Sequence, residues 1–82
     1  MSAEGIFNVI VECTLTVLPS MAGRRFKRDD RLAELGANSV DRADIVMMVL
    51  ERLSLRIPLT EVYGPRNIGE LADLLHAKLS SS

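Results

Sequence analysis

Prolines at positions 19, 58 and 65 break this chain, and the stretches between them carry apolar residues at helical spacing. Residues 3–18 place Ile6, Val9, Ile10, Cys13 and Val17 on one side, with Asn8 and Glu12 four apart on another. Val, Ile and Thr are frequent enough here for strand propensity to compete, but the period favours a helix ended by Pro19. Residues 39–54 form the strongest predicted helix. Asn38 or Ser39 can cap it, and Asp41 lies in the first turn, where the dipole favours an acid. Pro58 closes the next turn, a short segment at 59–63 precedes the Gly64-Pro65 breaker, and a last helix spans 68–79. Its stripe is Ile68, Leu71, Ala72, Leu75 and Leu79. The expected fold is all-α: a small three-to-four-helix up-and-down bundle with a long first loop. It is one domain over residues 1–82, with 79–82 as a flexible tail.

A chain of 82 residues buries only roughly 60% of its unfolded surface, which leaves no room for both a deep catalytic cleft and a separate core. Phe7, Phe26 and Tyr63 are its aromatics, so the core is aliphatic, as suits a helical bundle. The net charge of −1 argues against general nucleic-acid binding. Charge is nevertheless concentrated at residues 24–31, where Arg24, Arg25, Lys27, Arg28 and Arg31 face Asp29 and Asp30, +5 and −2 for a local +3. That run reads as a solvated loop, or more sharply as a docking patch for an acidic partner. It belongs to a connection spanning 19–38, in which Leu32 and Leu35, three apart, can form one turn that pins the loop to the core. Cys13 has no second cysteine to pair with and sits among apolar residues, so a buried, reduced thiol is expected. The N-terminus lacks a basic region of the signal-peptide kind, and the apolar stretch at 5–18 is too short to span a bilayer. These features predict a soluble, cytoplasmic monomer with no nucleic-acid or membrane partner. His76 has no carboxylate pair or metal-ligand spacing around it, so no catalytic role is read from it.

The chemistry concentrates in Glu34-Leu35-Gly36-Ala37-Asn38-Ser39-Val40-Asp41-Arg42-Ala43. A serine that enters a helix directly after a glycine turn suits attachment of a phosphate-bearing group, because free N–H groups and the positive dipole end favour an anion. With no base, metal cluster or nucleotide loop nearby, Ser39 reads as a tethering point rather than a nucleophile. The helix it opens has two apolar arcs: Ile45, Val46, Val49 and Leu53 on one, Val40, Ala43, Met47 and Leu50 on the other. Between them runs a polar wedge of Asp41, Asp44, Glu51 and Arg52, interrupted by Met48. Either this helix is central and packs on both sides, or the second arc is a landing surface for partner proteins. Methionine suits such a surface, and the flanking acids would steer basic partners. Both readings hold if the upper part of the arc is exposed and the lower part buried.

Leu35-Gly36-Ala37-Asn38-Ser39-Val40 resembles the Leu-Gly-x-Asp-Ser-Leu signature of acyl carrier proteins, with Ile57-Pro58 and Ile68 at matching landmarks downstream. The resemblance covers residues 32–79. It implies a non-catalytic carrier in which Ser39 receives 4′-phosphopantetheine from coenzyme A through a phosphopantetheinyl transferase, and the arm's thiol carries acyl groups as thioesters. Asn38, Val40, Asp41, Arg42, Asp44, Met47, Met48 and Glu51 would then form the partner-binding face. The run from Gly36 to Asp44, followed by Ile-Val-Met-Met, is most similar to free-standing carriers of bacterial polyketide β-branching cassettes. That similarity implies loading with malonyl by an acyltransferase, decarboxylation to acetyl by a decarboxylating ketosynthase, and acetyl donation to an HMG-CoA-synthase-like enzyme.

Several positions depart from the family pattern. Asn38 replaces the usual aspartate, keeping a capping oxygen but losing its charge. The second helix is only weakly acidic, and Leu50 stands where fatty-acid carriers often have an acid. Arg42 could pair with an acidic partner, with the arm's phosphate, or with Asp41 or Glu34. The competing readings are a fatty-acid-synthesis carrier, a helical protein-interaction adaptor without prosthetic group, and a DNA-binding module built on residues 24–31. The last lacks helix–turn–helix spacing.

Overall fold

The computed structural model describes residues 1–81; among them the regular elements are helical, with no strand. Helix α1 spans Ala3–Val17, α2 spans Ser39–Arg52 and α3 spans Ile68–Ser81, with 3-10 turns at Pro19–Met21 and Leu59–Val62. The expected short fourth helix is therefore the 3-10 turn before α3, which contributes Val62 to the core. The segment from residue 79, expected as a flexible tail, is helical as far as Ser81, and Ser82 lies outside the described residues.

Each helix begins where its sequence supplies a cap. Ser2 accepts a hydrogen bond from the Gly5 N–H at 3.0 Å and opens α1. Strand-favouring residues remain helical there because the periodic burial of Ile6, Ile10 and Cys13 outweighs a weak local preference. The Thr14 hydroxyl, fully buried, is satisfied by donating to the Ile10 carbonyl at 2.8 Å. Leu18 ends the helix ahead of Pro19, its N–H donating to the Thr14 carbonyl.

Helix α1, and not α2, is the central one: it packs against both α2 and α3. The core stripe expected on α2 is buried at Ile45, Val46 and Val49, and that on α3 at Ile68, Leu71, Ala72 and Leu75. Arg52 at the end of α2 reaches Glu12 of α1 at 2.9 Å, an exposed pair of small energetic weight. Beside it Cys13 is buried, and burial pushes its thiol above the ordinary value of 9.0.

The long connection is tied down by backbone contacts. Leu32 to Gly36 make one helical turn closed by a Schellman motif: the Ala37 N–H donates to the Leu32 carbonyl at 3.1 Å and the Gly36 N–H to the Ala33 carbonyl at 3.3 Å. Gly36 takes φ +100°, which glycine alone adopts without strain, and Leu35 and Ala37 are buried as expected of an anchor. Upstream, the Asp30 carbonyl accepts from the Ile68 N–H at 3.0 Å and the Arg28 carbonyl from the Gly69 N–H at 2.8 Å. The basic loop thus caps α3 with its own backbone, and the Arg28 side chain adds contacts to the Gly69 carbonyl and to Asp73. Gly69 is what allows this approach, since a Cβ there would lie 2.8 Å from the Arg28 Cβ and 2.9 Å from its carbonyl oxygen. Residues 24–31 are therefore partly an internal fastening, not simply a solvated run.

Two substitutions test these backbone devices. Gly69→Ala should lower stability by about 1–2 kcal/mol, net of alanine's better helix propensity, and the thermal midpoint by roughly 5–10 °C. An unchanged midpoint would show that the loop does not depend on the close approach. Ser54 ends α2 in a second Schellman motif at φ 52°, where a side chain is disfavoured. Ser54→Gly should raise stability by about 0.5–1 kcal/mol in the same melting experiment.

Candidate functional site at the start of helix α2

The turn closed by Gly36 delivers the chain to the N-terminus of α2, where Asn38 is the cap. Its Oδ1 accepts from the Asp41 N–H at 2.8 Å, and the Asp41 carboxylate accepts from the Asn38 N–H at 3.3 Å, a reciprocal capping box. This resolves the two capping candidates. Ser39 is the first helical residue instead, its side chain exposed and not used by the cap. Among the described residues the N–H groups of Ser39 and Val40 have no protein acceptor, so the helix end presents two donors beside that hydroxyl.

Arg42 adopts neither of the ion pairs expected within the chain. Its Nη1 donates to the Ala37 carbonyl at 3.1 Å, bracing the short segment between Gly36 and Ser39. Arg42 is half-buried as a residue, lies within the same turn as Ser39, and keeps most of its donors free.

The other predicted site residues divide by exposure. Val40 is 68% and Met47 55% exposed, large values for apolar side chains, and Asp44 and Glu51 are exposed on the same side of the helix. Lower on that arc Leu50 is buried and Ala43 half-buried. The second apolar arc is therefore surface at its top and core at its base. Met48, with Asp41, is half-buried, and it packs against the edge of the core.

One feature of the site was not anticipated from the sequence. Beside α2 lies a groove of about 290 Å³ lined by the apolar Leu32, Val46, Val62, Ile68 and Leu71 and by Arg31, Arg42 and Arg66. The three arginines come from the first loop, α2 and the approach to α3. No common spacing links them, and the sequence signal is limited to their being arginines at the edges of the apolar segments.

The chain is similar to several known proteins. Residues 8–75 match a family model described as phosphopantetheine attachment site. The whole chain is 51% identical over 82 residues to the full length of the polyketide biosynthesis acyl-carrier-protein AcpK of Bacillus subtilis (strain 168). A 54-residue portion, 66% of the chain, is 37% identical to 2% of the highly reducing polyketide synthase aurA of Calcarisporium arbuscula. Among solved structures, a chain in the crystal structure of the curacin biosynthetic pathway HMG synthase in complex with acetyl donor-ACP matches with TM-score 0.91 and 45% identity, over 94% of this chain and 99% of that one. The chain thus belongs to the phosphopantetheine attachment family, a member of the non-catalytic acyl carrier proteins that hold this prosthetic group covalently.

Proposed function

We propose that Ser39 is the attachment position and that the protein is the acetyl-donor carrier of a polyketide β-branching system. The observation that carries the first part is local. Among the described residues Ser39 alone combines an exposed hydroxyl, the first position of a long helix, and adjacent N–H groups without acceptors. Those donors suit the phosphodiester that links the arm to the protein. The bound arm supplies a thiol that holds acyl groups as thioesters, and the chain's own residues supply its position and its recognition. Asn38 and Asp41 hold the helix end, and Arg42 braces the segment that leads to it.

The second part rests on likeness. A carrier 45% identical along nearly its whole length was crystallised with an HMG synthase, and the relative 51% identical is a discrete polyketide carrier. The partner set is then a phosphopantetheinyl transferase, an acyltransferase that loads malonyl, a decarboxylating ketosynthase and an HMG-CoA-synthase-like enzyme. The face offered to them is Val40 and Met47 with Asp44 and Glu51 around them, a small apolar contact ringed by charge. That composition suits brief encounters, in which a few apolar atoms supply affinity and the acids supply orientation.

Incubation with coenzyme A and a broad-specificity phosphopantetheinyl transferase should add one phosphopantetheine to the intact mass. Ser39→Ala should add none while keeping its melting temperature, because the capping box does not use Ser39. No gain by the folded parent protein with several transferases would remove the carrier assignment for Ser39. The docking face predicts that Met47→Ala combined with Val40→Ala lowers kcat/KM for acetyl transfer to an HMG-CoA-synthase-like enzyme about tenfold or more. Stability should change by no more than about 0.5 kcal/mol, as both side chains are exposed. Undiminished transfer by that double variant would place the interface elsewhere.

A further inference from the structure

The groove beside α2 is unusual in its charge. Three of the residues that line it are arginines and none is acidic, in a protein whose net charge is −1. Three of the nearby acids have other partners. Asp30 holds Arg24 and the Lys27 N–H, Glu61 holds Lys78, and Glu70 accepts from the Arg66 backbone N–H. Among the described residues, Arg31, Arg42 and Arg66 form no ion pair with a carboxylate, and Arg42 uses one donor on the Ala37 carbonyl. An apolar floor lined by arginines that have no carboxylate partner fits a ligand with a short apolar stem and a terminal anion. Guanidinium groups match a carboxylate in shape as well as in charge.

Arg42 is three residues beyond Ser39 and so lies next to it on the helix surface. We propose that this groove receives the carboxylate end of a carboxyacyl group, of the malonyl type, carried on the arm at Ser39. The inference rests on Ser39 being the attachment position. Arg31 and Arg66 are exposed, so the site would hold free malonate only weakly. A short flexible tether presents its ligand at an effective concentration of roughly millimolar, enough to populate a weak site. An acetyl group has no anion to place there. The groove would therefore retain the carboxyacyl form and leave the acetyl form free in solvent.

The test compares apo, holo, acetyl and malonyl forms of the full chain, each verified by intact mass, in two-dimensional NMR spectra of the arginine Nε–H groups and of the Val62, Ile68 and Leu71 methyls. The malonyl form should shift the Arg31 and Arg66 Nε–H signals and the groove methyls, and the acetyl and holo spectra should coincide at these positions. In Arg31→Gln/Arg66→Gln the methyl shifts should vanish while loading at Ser39 proceeds. Coincident malonyl and acetyl spectra would overturn the proposal. So would shifts already complete in the holo form, which would assign the groove to the arm's phosphodiester. Failure of the parent chain to load at all would instead remove the attachment reading, and this inference with it.

Discussion

The carbonyls of Arg28 and Asp30 hold the rest of the molecule in register by accepting the first N–H groups of α3. The connection between α1 and α2 has little regular structure of its own, and without a fastening at its middle it could not aim the turn that ends at Gly36. With those two bonds in place, Leu35 and Ala37 enter the core, the chain reverses at Gly36, and Ser39 emerges at a fixed helix end. A missing side chain at position 69 is what lets loop and helix touch. Satisfying the terminus of α3 and positioning the start of α2, with the serine proposed as the attachment position, are thus a single structural event.

Helix α2 shows how one short element can meet three demands. Its first turn locks itself with Asn38 and Asp41, its inner stripe fills the core against α1, and its outer face keeps Val40 and Met47 in water. Two large apolar side chains exposed together, with Asp44 and Glu51 around them, fit the proposed docking face, a surface covered only intermittently.

Local features of this design were legible in the sequence. The helices follow from their apolar period and breakers, and the sequence narrowed the cap to Asn38 or Ser39 and showed two apolar arcs on α2, leaving the structure to choose Asn38 and to divide the second arc into exposed top and buried base. Features that join distant residues were not. Arg28 and Gly69 lie 41 positions apart, and neither a loop arginine nor a helical glycine announces the other. The same limit hid the central role of α1, since three amphipathic stripes do not say which helix the other two share. Arg42 illustrates a subtler case: its charge suggested an acidic partner, but a backbone carbonyl five residues back lies nearer. Ser54 shows the reverse, a helix end where the expected glycine is absent and the backbone takes the left-handed turn nonetheless.

Cys13 matters for what it abstains from. A carrier working through the thiol of its prosthetic group faces an internal competitor in any other sulfur it contains, because thiolates exchange acyl groups and disulfides with one another. Here the sole cysteine is sealed between helices, and burial keeps it protonated at neutral pH. Burial thus disfavours migration of cargo onto the protein's own sulfur and a disulfide between arm and scaffold. The molecule thereby keeps a single reactive sulfur, the one at the end of its arm.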